Sequence, residues 1–288
     1  MAIGDILLEN LARDAVLTGG DWSGTLDNLV DPRITSLPAR CADPSDLGAS
    51  QFTATWPSPV FMTDIMLCGH TGDLDAMYRI TASENGTPLY EGEWTDFFGR
   101  VYDTADLPFE QENWYTGKPR LKDIQGYARH LHIRLPELIA ADELVVELDV
   151  TAQAGIDDYD VGYLVVANPL ATGWTYDWGR DLGIRRRTLE EITAGGRKIK
   201  TRRRNARVHT VTFPHLTKGE AMRLYDFAMA DEDHPAVFLP NTADLVHAFR
   251  EFFPAHLSVA SPPRETNELA DDGLSEWSIT LTFEEMQG

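Results

Sequence analysis

Cysteine is almost missing from this chain: Cys41 and Cys68 are the only two in 288 residues. That excludes a disulfide-stapled scaffold, and two thiols in a chain this long read as buried small hydrophobes. No run of about 18 apolar residues occurs, so no helical membrane span is expected. The opening stretch MAIGDILLENLARDAVL has early acids and no basic leader. The expectation is therefore no signal peptide and synthesis in a cytosol-like compartment. Phosphate-cradling glycine loops, dinucleotide fingerprints and nucleophile elbows are missing too. Gly195-Gly196-Arg197 reads as a turn, because glycine supplies positive φ.

Positive charge is the next shortage, and it is unevenly spread. The chain holds 25 basic and 46 acidic residues, a net charge of −21. Eleven of the bases fall between Arg180 and Arg207 beside only three acids, Asp181, Glu190 and Glu191. This strip is about +8 on a remainder of about −29. Such a strip suits a polyanion, an acidic neighbour or another copy of the chain. The acidic remainder would repel nucleic acid from most approaches, so protein assembly is the favoured reading. The candidate interface residues are Arg185, Arg186, Arg187, Arg197, Lys198, Lys200, Arg202, Arg203 and Arg204.

Hydrophobic content of 43% and seven tryptophans indicate folded domains rather than disorder. Length suggests two domains. Short strands are expected at 51–56, 61–68, 77–82, 88–94, 130–135, 143–150 and 162–167, the spacing of a β-sandwich. After Asn168-Pro169 the pattern changes. Arg207–Phe213 alternates as a strand, and Thr217-Lys218-Gly219-Glu220 is a capping box that opens a helix ending near Asp231. Ala221, Leu224, Tyr225, Ala228 and Met229 form its expected apolar face. Strands follow at 236–239, 256–260 and 276–283, while 242–253 is ambiguous between helix and strand. The reading is mainly β: a sandwich over residues 1–170 and a strand-rich α+β module with one principal helix over 171–288.

Chemistry-bearing constellations are few. Cys68-Gly69-His70 with Asp73 and Asp75 is the nearest approach to a metal set, but zinc needs paired ligand clusters and Cys68 ends an apolar strand. Asp73 with Asp75, or Asp157, Asp158 and Asp160, offer calcium-type oxygens, although such runs are usually solvated turns. His130, His132, His209, His215, His247 and His256 show no partner pattern. No carboxylate pair stands out among so many acids, which leaves no basis for a polysaccharide-degrading enzyme. The expectation is no metal, no cofactor and no catalysis. The connection between Trp94 and His130 is long and aromatic, with Phe97, Phe98, Tyr102, Phe109, Trp114, Tyr115 and Tyr127. Trp94, Trp114 and Tyr115 are candidates for stacking on sugar rings; the competing reading is that the rings pin the loop to the sheet.

The first 170 residues resemble discoidin-like jelly rolls in tail proteins of long-tailed bacteriophages. The matching pieces are Trp22, Leu26 to Leu29, Ala39-Arg40, Leu67-Cys68-Gly69-His70, Ala76, Arg79, Leu89-Tyr90 and Trp94. Cys41, where a serine is usual, departs from the pattern. The second half is similar to the downstream module of those proteins through Gly195 to Arg197, Arg202 to Arg207, Val208 to Phe213 and Leu216 to Ala228. The resemblance implies a non-catalytic virion component of a tail tip or baseplate, made in the host cytoplasm. Its implied partners are other tail proteins, copies of itself in a symmetric assembly and host surface glycans, without membrane insertion.

Overall fold

A computed structural model describes residues 4–286 apart from 24, 34–35, 154–156, 172–175, 178, 193–194, 202, 231–233, 243–246 and 269–274. The chain is mainly β and divides into two units that are not contiguous in sequence.

The sandwich unit comprises Glu9–Pro169 with Thr242–Phe252. Its larger sheet runs β11 (Tyr163–Ala167), β5 (Phe52–Cys68), β9 (His130–Asp149), β6 (Met77–Glu84) and β7 (Thr87–Glu91). Short β2 (Val16–Thr18) adds to β5, and β8 (Thr95–Asp96) adds to β6. The smaller sheet is β10 (Tyr159–Val161), β4 (Ala39–Cys41) and β3 (Trp22–Ser23). Every pairing is antiparallel, and Phe52, Leu67, Ile133, Leu144, Cys41 and Tyr159 belong to one buried apolar cluster.

Two pairs of expected strands are single strands here. Segments 51–56 and 61–68 lie in β5, and segments 130–135 and 143–150 lie in β9. Pro57, Pro59 and Pro136 mimic stop signals, since proline cannot donate to a ladder. They fall where the β5–β9 register shifts, between Thr55 and Val60 and opposite the Met62–Asp64 step. These bulges also change which face is buried. Along β9 the buried positions are odd-numbered from Leu131 to Ala141 and even-numbered from Leu144. A one-residue insertion flips every later side chain, so the bulges keep both halves of each strand facing the core.

The bulge beside Thr63 also turns Asp64 away from Ile65 and Leu67 toward His132 and Arg134. Asp64 is fully buried; His132 Nε2 lies 2.7 Å and Arg134 Nε 2.9 Å from its Oδ1. Burial alone would raise this carboxyl, but hydrogen bonds and charge from His132 and Arg134 outweigh it and hold it below the ordinary range.

The outer edge of β11 is closed by a side chain. Asn10 Nδ2 donates to the Leu164 carbonyl (2.7 Å), and its Oδ1 accepts from the amides of Val166 (3.0 Å) and Ala12 (3.0 Å). The amide thus stands in for a neighbouring strand at a buried edge.

The second unit comprises Met1–Leu8, Leu170–Asn241 and Phe253–Gln287. Its sheet runs β12 (Leu170–Ala171), β1 (Asp5–Leu7), β17 (Ala236–Leu239), β18 (Pro254–Glu268), β19 (Ser275–Glu285), β16 (Ala206–Leu216) and β13 (Asp181–Arg185), all antiparallel. The helix Lys218–Ala230 packs Ala221 and Leu224 against Phe213, Ile279 and Phe283 of the sheet's core. The capping box forms: the Thr217 amide donates to Glu220 (2.7 Å), and the Glu220 amide donates to Thr217 Oγ1 (3.3 Å). Met229 is not on the buried face, being 67% exposed; Phe227 packs instead.

The linear division at residue 170 is therefore crossed twice. Asp5–Leu7 is buried between β12 and β17, where a short segment away from water satisfies its backbone by pairing on both sides. Thr242–Phe252, which includes the short helix Ala248–Glu251, joins the sandwich unit through Phe249 on Tyr127 and Phe252 on His132.

Two expected outcomes follow from these contacts. Asn10→Ala removes three bonds at a buried edge and lowers stability by about 1–3 kcal/mol, read as a reduced urea midpoint with unchanged m-value. Asp64→Asn costs about 3 kcal/mol at neutral pH. Because the folded pKa is depressed, the Asp64 contribution is present above the unfolded value of about 3.9 and disappears as pH falls through the lower folded value. The wild-type and variant unfolding curves should then converge in acid; a gap that stays constant down to low pH contradicts the assignment.

Candidate binding surfaces

The first surface is built by the long connection after β8 in the sandwich unit. Its path is fixed by Gly117, which has φ 62 and whose carbonyl accepts from the Val101 (2.9 Å) and Tyr102 (3.0 Å) amides. A Cβ there would stand 2.5 Å from the Tyr102 carbonyl oxygen, so only glycine fits without movement. Phe97 and Phe98 are buried, with Phe97 edge-on to His70 at 4.9 Å, and pin the start of the loop. Burial holds the His70 imidazole well below its ordinary pKa, so the ring is neutral in this apolar setting.

Farther along, the rings turn outward. Phe109 is 75% and Tyr115 86% exposed, with half-buried Trp114 between them. Centroid distances are 5.3 Å for Phe109 to Trp114 and 4.7 Å for Trp114 to Tyr115, both edge-on. Next to Phe109, Glu110 takes φ 61, a conformation that a side chain of this kind adopts at a cost of about 1–3 kcal/mol. The tip is thus held in strained backbone while showing apolar rings to water.

Two of the three candidate stacking residues, Trp114 and Tyr115, meet in this platform, and Trp94 does not. The Arg79 guanidinium lies 4.9 Å from the Trp94 ring centre and is held there by Glu147 at 2.5 and 2.7 Å. Phe109, not among the stacking candidates read from the sequence, is the third ring of this group. The local string Pro108-Phe109-Glu110 offers a turn signal, but nothing in it separates an outward ring from the inward Phe97 and Phe98.

The second surface is the basic strip in the other unit, and it has two parts. At its root, β13 lies along β16, and Arg185 and Arg187 both bond Glu284, the latter at 2.6 Å. Arg207 is buried on Glu285, with Nη2 2.6 Å from Oε1 and its amide 2.9 Å from Oε2. Burial would raise Glu284, but the two arginines outweigh it and its carboxyl is depressed. Beyond the root, β14 (Leu189–Ile192) pairs with β15 (Lys198–Thr201) as a separate two-stranded ribbon turned at Gly195-Gly196, and all eight strand residues are exposed. Lys200 pairs with Glu190 at 2.6 Å.

The nine interface candidates consequently differ in role. Arg185 and Arg187 are tied to Glu284, and Lys200 to Glu190. Arg186, Arg197, Lys198, Arg203 and Arg204 are solvent-exposed, and Arg202 lies outside the described residues. Sequence reasoning also missed Leu189, Ile192 and Ile199, apolar residues on the ribbon that are 46%, 69% and 46% exposed.

Among the described residues, no set of three or more His, Cys, Asp or Glu is arranged to hold a metal ion. Cys41 and Cys68 are both buried, and burial raises the Cys41 thiol. No described helix is long and apolar enough to cross a membrane.

No protein-family model matches the chain, and neither does any curated protein. Solved structures that superpose include the family 32 carbohydrate-binding module of Clostridium perfringens NanJ in complex with galactose. That match has 13% identity over 58% of this chain and 100% of that one, with a TM-score of 0.38. A second is module CBM32-1 of a family 31 glycoside hydrolase from Clostridium perfringens, at 13% identity over 56% of this chain and 99% of that one, TM-score 0.34. A third is a family 89 glycoside hydrolase from the same organism, at 10% identity over 77% of this chain but only 18% of that one, TM-score 0.36. At these values the likeness says nothing of a ligand, which has to be read from the chain's own residues.

Proposed function

We propose that the sandwich unit is a non-catalytic glycan-binding module whose site is the Phe109–Trp114–Tyr115 platform. The observation that carries this reading is the outward presentation of Phe109 and Tyr115, each edge-on to the half-buried Trp114, on a loop whose first aromatics, Phe97 and Phe98, are buried. Sugar rings have apolar C–H faces, and an aromatic ring offers them a flat surface while the sugar hydroxyls stay in water or bond polar neighbours. Water-facing rings also lose favourable free energy, at about 25 cal/mol per Å² of apolar area, that a stacked ligand restores. The strained Glu110 fits a loop shaped for recognition rather than for packing. In the setting that the sequence resemblance suggests, the ligand is a host surface glycan.

A second reading concerns the other unit: a structural part of a phage tail tip or baseplate, residing in the virion and docking on acidic faces of neighbouring tail proteins. The fully exposed ribbon, flanked by exposed arginines such as Arg186 and Arg203, favours it. An isolated two-stranded hairpin is marginal in water, so a ribbon of this kind gains order from a partner.

The two readings are measured separately. On a glycan array, Trp114→Ala and Phe109→Ala should each weaken binding about tenfold or more, in line with the 1–3 kcal/mol that ring truncation costs in stacked sites. Trp94→Ala should bind like wild type. Retained binding by both platform variants, with circular dichroism showing intact folds, would remove the site. For the second reading, Arg203→Glu with Arg204→Glu should keep the protein out of assembled particles, scored by immunoblot of purified virions; normal incorporation contradicts it.

A further inference from the structure

The ribbon β14–β15 carries opposite charges on its two edges. Strand β14 reads Leu-Glu-Glu-Ile and β15 reads Lys-Ile-Lys-Thr. The register sets Glu190 against Lys200 and Ile192 against Lys198. Each strand has a neighbour on one side only within this two-stranded sheet. Two outer backbone edges therefore face solvent, one bordered by Glu190 and Glu191, the other by Lys198 and Lys200. Apolar residues accompany both: Ile192 and Leu189 on the acidic strand, Ile199 on the basic one.

Open edges of this kind are normally blunted. In the sandwich unit the buried edge of β11 is closed by the Asn10 amide. A lysine-only edge would repel its own copies, which is a common protection against edge-to-edge pairing. The ribbon has no such protection, because its lysine edge is matched by a glutamate edge on the same element. Like edges repel and unlike edges attract.

We propose that the ribbon is a self-assembly element in which the β14 edge of one copy pairs with the β15 edge of a second copy of this chain. This rests on the reading of the ribbon as an assembly element and narrows it from docking on any acidic face to strand addition between ribbons. Continued in the ribbon's own register, the pairing sets Glu190 of one copy against Lys200 of the next, with Glu191 on the opposite face beside Ile199, and satisfies the outer amides and carbonyls. It joins different patches on the two copies. Such a contact repeats in one sense and ends by closing a ring or growing a filament.

Full-length chains with exchanged charges test the pairing by sedimentation velocity at low and moderate salt. Wild type should self-associate, less so as salt rises. Glu190→Lys with Glu191→Lys should weaken self-association about tenfold or more, and so should Lys198→Glu with Lys200→Glu. A one-to-one mixture of the two variants should associate again, since each now carries the edge that the other lacks. The fourfold exchange, which keeps the Glu–Lys pair inside the ribbon with reversed polarity, should behave like wild type. That controls for melting of the ribbon. Self-association of the glutamate-to-lysine variant at or above the wild-type level overturns ribbon pairing while leaving docking on an acidic face intact. A monomeric wild type, or a mixture that fails to associate, overturns the proposal as well.

Discussion

The sandwich unit depends on one constraint: β5 and β9 are paired over nearly their whole lengths while alternation has a period of two. Two long strands cannot keep one face buried through bends unless the register slips where the bend occurs. Slips at 56–59 and at 63 supply this, and three prolines occupy the slipped positions or lie opposite them. The same slip produces the buried Asp64 cluster. A carboxylate with no exposure is tolerable only because an imidazole and a guanidinium reach it from the next strand, so a packing correction and an electrostatic one share a few residues.

In the second unit the corresponding point is the end of β19, where Glu284 and Glu285 each receive arginine. Glu285 with Arg207 is nearly dry, at 2% and 7% side-chain exposure, and Arg207 also lies over Phe253. Breaking either partner would strand a buried charge, a loss of about 3–5 kcal/mol. Glu284 meets Arg185 and Arg187 nearer the surface, where an ion pair contributes much less. The gradient from buried to exposed partners divides the strip. Its root is ordered by the fold's own acids, and its remaining cations flank a ribbon whose two strands carry two glutamates and two lysines.

Local chemistry was legible in the sequence, and long-range compensation was not. The Thr217–Glu220 box, the strand at 236–239 and the alternation of Trp277, Ile279, Leu281 and Phe283 were readable because each is decided by residues within a few positions. The fused strands were not readable, because whether a proline stops a strand depends on what the partner strand does opposite it. Asp5–Leu7 gave no hint of lying between strands more than 160 residues away. Net charge misled in the same manner: Arg185 and Arg187 look like free cations until Glu284, about a hundred residues on, is placed beside them.

The aromatic loop shows why composition alone could not choose between a pinned loop and a binding surface. A pinned part and an outward-facing part occur in the one segment. Phe97 and Phe98 do the pinning, and they can because they directly follow a strand and start level with the sheet. Phe109 and Tyr115 lie on either side of Trp114 at the far end of the loop, beyond the reach of that core. Were their only purpose to anchor the chain, inward packing of Trp114 would suffice and polar residues at 109 and 115 would cost nothing. Rings there, edge-on to Trp114 beside the strained Glu110, are the observation on which the proposed glycan site rests.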